Sequence, residues 1–101
     1  MDWLKKIVKQ VVDEADPDRI ILFGSRAKGN AAKDSDYDIF VLKRGVTHRR
    51  KLAHDIYLKL DVKAPVDVIV ETPERFNELK SNPFLLYNEI EKHGRVVYEK
   101  R

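Results

Sequence analysis

A chain of 101 residues, 43% hydrophobic and 37% charged, has room for one small core and no second, so residues 1–101 are expected to form a single domain. Its net charge of +3, from 20 Lys and Arg against 17 Asp and Glu, is spread along the chain, and direct nucleic-acid binding is not expected. No apolar run approaches the roughly 20 residues of a membrane span, the charged first ten residues do not read as a secretory signal, and the absence of cysteine removes disulfides, thiolate metal sites and cysteine nucleophiles; a cytoplasmic location is the default expectation.

Asp2 is placed to cap a first helix in which Leu4, Ile7, Val8, Val11, Val12 and Ala15 recur at helical spacing, with Trp3 at its start. Pro17 ends that helix, because proline disfavours a helical residue before it. Ile20-Ile21-Leu22-Phe23 is a β-branched, aromatic run stopped by Gly24, which reads as a buried strand. Ser25 to about Gly29 leaves space for one or two helical turns before a loop that runs to Ser35. From Asp36 to Leu42, one face of a strand carries Asp36, Asp38, Phe40 and Leu42 and the other Tyr37, Ile39 and Val41. Beyond the two acids both faces are apolar, the mark of a central strand covered on both sides.

After the turn Lys43-Arg44-Gly45, Thr47 is expected to cap a helix to about Leu60, with Leu52, Ala53, Ile56, Tyr57 and Leu60 as its buried stripe. The basic run His48-Arg49-Arg50-Lys51 reads as the solvated start of that helix. Val66 to Val70 is a third strand, with Asp67 and Ile69 on one face. Thr72-Pro73 caps a short helix that turns Phe76 and Leu79 inward, and Asn82-Pro83 repeats the device for a last helix to about Lys92, ended by Gly94. Val96-Val97-Tyr98 can close the sheet. The expected fold is α/β: a three- or four-stranded mixed sheet flanked by helices. Trp3, Tyr57, Phe76, Phe84 and Tyr87 are expected in the core, with any exposed subset forming a partner-binding patch on the last two helices. His48, His54 and His93 lack metal spacing and are expected at the surface or at helix ends.

The chemistry gathers between Gly24 and Asp38. Strand alternation projects Asp36 and Asp38 from one face, about 7 Å apart, where two half-buried carboxylates repel and need a cation. Magnesium suits them, since it takes one or two carboxylates and completes its shell with water and phosphate oxygens. Taken alone, Asp-x-Asp also reads as a loop cap or as partners for Lys28, Lys33 or Arg44. The Gly24-Ser25 turn narrows that choice: glycine lets a phosphate approach the backbone, and the serine hydroxyl can donate to it. A Gly-Ser pair followed at this fixed spacing by Asp-x-Asp arises by accident in roughly one chain in a thousand of this length. Asp67, between valines in a strand, is costly without a cation or donors, and on an adjacent strand it would aim at the same metal.

Phe23-Gly24-Ser25-Arg26-Ala27-Lys28-Gly29, then Ser35-Asp36-Tyr37-Asp38-Ile39, then Val66-Asp67-Val68-Ile69-Val70 together resemble the DNA polymerase β-like nucleotidyltransferase superfamily, and more closely its minimal nucleotidyltransferase (MNT) branch. The resemblance implies that Asp36, Asp38 and Asp67 form the metal and catalytic site for two Mg2+ ions, with Asp67 helping to deprotonate the acceptor hydroxyl. It implies that Gly24 and Ser25 hold the β- and γ-phosphates of ATP. Arg26 and Lys28 flank that turn as further nucleotide-binding candidates, with bracing or solvent as their alternatives. Minimal nucleotidyltransferases are typically antitoxins paired with a HEPN-domain ribonuclease toxin, so the resemblance implies transfer of AMP from ATP to a toxin tyrosine within a hetero-oligomeric complex. A small domain leaves little chain for a second substrate pocket, which also points to an acceptor delivered on a macromolecule. Two other readings stay open: a non-catalytic antitoxin acting by occlusion, and a transferase acting on a small molecule or RNA. Five intact site residues speak against the first. The missing extra domain and the missing basic groove speak against the second.

Overall fold

The computed structural model describes residues 2–101. Its elements follow in the order α1 (Leu4–Ala15), β1 (Arg19–Phe23), α2 (Ser25–Lys28), β2 (Tyr37–Leu42), α3 (Arg49–Lys59), β3 (Val66–Glu71), α4 (Pro73–Leu79), α5 (Leu86–His93) and β4 (Arg95–Glu99). The strands form one mixed sheet in the order β3-β2-β1-β4. β1 runs antiparallel to both β2 and β4, whereas β2 and β3 are parallel and joined through α3. The closing segment is thus a true fourth strand, and it pairs with β1 through a register shift between Ile20 and Ile21. No helix among the described residues is long and apolar enough to cross a membrane.

Alternation along the strands builds two cores. On one face Ile20, Leu22, Tyr37, Ile39, Val41, Val66 and Val70 pack with Ile7, Val11 and Ala15 of α1 and Ile56 of α3. On the other, Ile21, Phe23, Phe40 and Leu42 pack with Phe76 of α4 and Ile90 of α5. Phe40 centres an aromatic cluster whose ring centroids lie 6.5 Å from Phe23, 5.1 Å from Phe76 and 5.2 Å from Tyr87. β2 is therefore covered on both sides, as its double apolar pattern requires. That rigidity fixes the strand carrying Asp38.

The expected caps hold at two helices. The Leu4 N–H donates to Asp2 at 2.9 Å, and the Tyr37 hydroxyl ties the same turn to β2 by accepting from the Trp3 N–H at 3.0 Å. Thr72 accepts from the Arg75 N–H with Pro73 in the first turn. Elsewhere the expectation needs correction. α3 begins at Arg49 with His48 at its cap position and no side-chain capping bond, so Thr47 does not serve. Asn82 accepts from the Phe84 N–H at 3.0 Å, forming a local turn that delays α5 until Leu86. Gly94 ends α5 with an extended backbone and not a left-handed one; a Cβ there would lie 2.5 Å from the Ile90 carbonyl and 2.6 Å from Ile21, so glycine is needed for close packing. Tyr57 is 55% exposed and Phe84 94% exposed, because α3 turns only Ile56 and its i−3 and i−4 neighbours inward and Phe84 sits in the turn before α5. Phe76 is buried and Trp3 and Tyr87 are half-buried, nearer to what periodicity predicts. The three histidines are exposed, as expected.

Candidate active site

β1 ends at Phe23, which lies directly across from Asp38, and the parallel register of β2 with β3 sets Asp38 beside Asp67. Twenty-nine positions of sequence separation thereby collapse onto neighbouring strands. Asp36 sits one residue before β2 and joins from the loop. The three side chains can each present a carboxylate oxygen within 4.8 Å of the other two, and among the described residues this is the one group of metal-ligating side chains so placed. Asp36 and Asp67 are exposed and Asp38 is half-buried.

The electrostatics of the triad are unrelieved. Burial pushes the Asp38 carboxyl above its ordinary value of 3.8, and the charge of Asp67, a hydrogen bond with it, and the charge of Asp36 push it the same way. None of the ion pairs among the described residues involves any of the three acids. A hard, oxygen-seeking divalent cation fits this donor set and would remove the repulsion.

Gly24 closes the other side. Its φ of 74° with ψ of −158° is a conformation that side-chain-bearing residues rarely adopt, and a Cβ there would collide with the Asp38 carboxylate. Its carbonyl accepts from the N–H groups of Ala27 and Lys28 at 3.2 and 3.3 Å, winding the single turn of α2 that begins at Ser25 and stops at Gly29, φ 77°. The turn thus brings bare backbone against the acidic pair.

Arg26 and Lys28 are placed differently from the glycine–serine pair. Arg26 donates from Nε and Nη2 to the Ser35 carbonyl at 3.0 and 2.8 Å and from Nη2 to that of Lys33 at 3.2 Å. Its guanidinium stacks 3.9 Å from the centroid of the Tyr37 ring. It braces the loop that carries Asp36. Lys28 pairs with Glu89 of α5, and its hydrogen bond holds the Glu89 carboxyl below the usual carboxylate range. Both cations are engaged within the fold, and neither pairs with the triad.

The sequence reading missed Glu71, a fully buried acid at the end of β3. It accepts from Arg49 of α3, from the Tyr87 hydroxyl of α5, and from the Thr72 N–H, and it pairs with Arg75 of α4. Burial, the hydrogen bond to Glu71 and its charge push the Tyr87 phenol up to about 12. Its one sequence signal was strand alternation: Glu71 continues the face of Asp67 and Ile69.

Three carboxylates gathered at the edge of a glycine turn are suited to metal-assisted transfer at phosphorus. Residues 5–101 match the family described as Polymerase beta, Nucleotidyltransferase, and the chain belongs to that family. Solved structures agree. A candidate nucleotidyltransferase from Sulfolobus solfataricus shares the fold at TM-score 0.65 and 20% identity over 96% of this chain and 78% of that one. A toxin–antitoxin with AMP-PNP matches at TM-score 0.63 and 27% identity, over 96% and 73%. A mutant of the toxin–antitoxin MntA-HpeT matches at 0.62 and 25%, also over 96% and 73%. No curated protein sequence matches the chain.

Proposed function

We propose that this chain is an antitoxin enzyme that transfers AMP from ATP, with Mg2+, to a hydroxyl group, expected to be a tyrosine, on a partner HEPN-type toxin. The observation that carries the reading is the unneutralised triad, three carboxylates within 4.8 Å of one another, set against a glycine that tolerates no side chain. Likeness to toxin–antitoxin structures, one of them holding AMP-PNP, supports both the nucleotide and the partner.

Gly24 and Ser25 would seat the β- and γ-phosphates, the first by leaving its backbone open and the second by its hydroxyl. Asp36, Asp38 and Asp67 would hold the divalent ions, which when bound neutralise charge on the α-phosphate and on the leaving oxygen. In-line attack by the acceptor oxygen on the α-phosphorus forms the new P–O bond and breaks the bond to the β-phosphate bridging oxygen, and pyrophosphate departs. The acceptor proton passes to the Asp67 carboxylate, which is exposed on β3. Arg26 keeps Asp36 in place through the loop, and Lys28 fastens α2 to α5.

The test mixes the purified chain with Mg2+, ATP and the co-encoded partner protein and follows the partner by intact-mass spectrometry. Whole AMP increments that vanish with Asp36→Ala or Asp38→Ala are expected. A tight complex with no increment would overturn the enzyme reading in favour of occlusion.

A further inference from the structure

We propose that the groove between α3 and the outer edge of β3 is the docking site for the acceptor segment, and that its occupant is an extended, largely apolar polypeptide carrying the reactive hydroxyl at its Asp67 end. This rests on the transfer reading above and names where the second substrate lies.

Four observations carry it. First, β3 is the last strand of the sheet. The Tyr37 N–H donates to the Pro65 carbonyl and that of Lys43 to the Glu71 carbonyl, so by the alternation of a parallel ladder the main-chain groups of Val66, Val68 and Val70 turn outward. Such an edge can accept an added strand. Second, a hollow of about 400 Å³ lies along that edge, between Ala53, His54 and Tyr57 of α3 and the run from Pro65 to Val68. Asp67 lines this hollow and belongs to the triad; alternation turns its carboxylate to the face opposite α3, so a strand added along the β3 edge sets the side chain across from Asp67 on the triad's face.

Third, the hollow continues. A second one, of about 290 Å³, shares Tyr57, Pro65 and Val66 and adds Leu58, Leu60, Val62 and Ala64. Tyr57 and Leu58 stand 55% and 64% exposed on its wall, offering an aromatic anchor of the kind that dominates protein interfaces. Fourth, no Lys or Arg lines either hollow, and Asp67 is the one formally charged residue in their lining. A phosphate-bearing strand would find no counter-charge there, whereas a neutral peptide would meet apolar walls and free backbone groups. The trough therefore selects polypeptide over RNA, and a polypeptide strand paired along the β3 edge presents alternate side chains to the face that carries Asp67.

The test uses the full chain with the co-encoded partner protein as acceptor, and an RNA pool in parallel. Tyr57→Ala and the double variant His54→Ala/Tyr57→Ala change exposed side chains and spare the core. A tenfold or greater rise in KM for the partner is expected, with kcat and ATP affinity unchanged. A benzophenone crosslinker at position 57 is expected to capture a partner peptide within a few residues of the AMP-bearing hydroxyl, whereas one at exposed Val96 on β4 captures none. An unchanged KM in the double variant, or a crosslink that maps far from the modified residue, overturns the groove while leaving the enzyme intact. Transfer to RNA with the partner unmodified overturns its peptide specificity. Absent transfer to either acceptor refutes the function instead, and crosslinking still decides the groove: capture from position 57 alone supports it, and no capture there overturns it.

Discussion

Asp38→Asn should make the metal-free domain more stable while destroying its response to Mg2+. In the native state Asp38 faces Asp36 and Asp67 with oxygens within 4.8 Å and with no basic partner. Two unit charges about 5 Å apart repel by roughly 0.8 kcal/mol in water and roughly 3 kcal/mol at an effective dielectric of 20. Two such neighbours, discounted toward the water limit because Asp36 and Asp67 are exposed, give about 1–2 kcal/mol in favour of the variant at pH 7. In a domain of this size that is a rise in Tm of about 5–10 °C. The pH dependence has a definite sign. Because the folded carboxyl is raised above 3.8, the native state binds its proton more tightly than the unfolded chain. The wild type is favoured most below the unfolded value and loses that advantage as pH rises through the folded one. The variant should lack this decline. Adding Mg2+ at ten times its dissociation constant should stabilise the wild type by about 1.4 kcal/mol and the variant by far less. Thermal and urea unfolding at pH 4 and pH 7, in EDTA and in Mg2+, measures all of this. A variant less stable than the wild type at pH 7 in EDTA, or one with an undiminished Mg2+ response, would refute the electrostatic account.

Gly24→Ala should lower stability by about 1–3 kcal/mol, from the left-handed backbone and the collision with Asp38, and should abolish nucleotide binding; thermal unfolding and calorimetric titration with an ATP analogue read the two effects separately. Glu71→Ala leaves Arg49, Arg75 and Tyr87 facing an empty buried position and should cost about 3–5 kcal/mol, seen as a lowered urea midpoint. Tyr87→Phe should remove a phenol whose ionisation burial and the Glu71 contact push up to about 12, which an ultraviolet difference titration checks; the stability linked to that phenol is held below its ordinary pH 10 and lost as pH rises toward 12. Arg26→Ala frees the carbonyls of Lys33 and Ser35, so limited proteolysis should cut the 29–35 loop faster and transfer should fall while unfolding shifts only slightly.

What was legible in the chain was whatever a local rule controls. Apolar runs named three strands, and Asp36 and Asp38 share a face by the two-residue period alone. Gly24 carries its signal in place, since a glycine closing a strand marks a backbone that a side chain would obstruct. What was not legible depends on partners that no local spacing encodes. Arg26 looked equally fit for phosphate and for bracing until the fold brought the Ser35 and Lys33 carbonyls and the Tyr37 ring around it. Glu71 drew no expectation from the sequence, because its three cationic and hydroxyl partners come from three different helices. Tyr57 fitted the apolar stripe of α3 by spacing, yet lies on its open flank.

That misplacement has a common cause with the site's geometry. β3 must lie next to β2 for Asp67 to reach Asp38, and with β1 and β4 filling the other side, β3 is left at the sheet's edge. An edge strand cannot be covered by α3 on its rim as well as on its face, so the same pairing that completes the acidic triad exposes Tyr57 and opens the hollow beside Asp67. Completing the triad and exposing an acceptor surface are one structural event. A change that moved β3 inward by adding a fifth strand would keep the carboxylates together and still block a macromolecular acceptor.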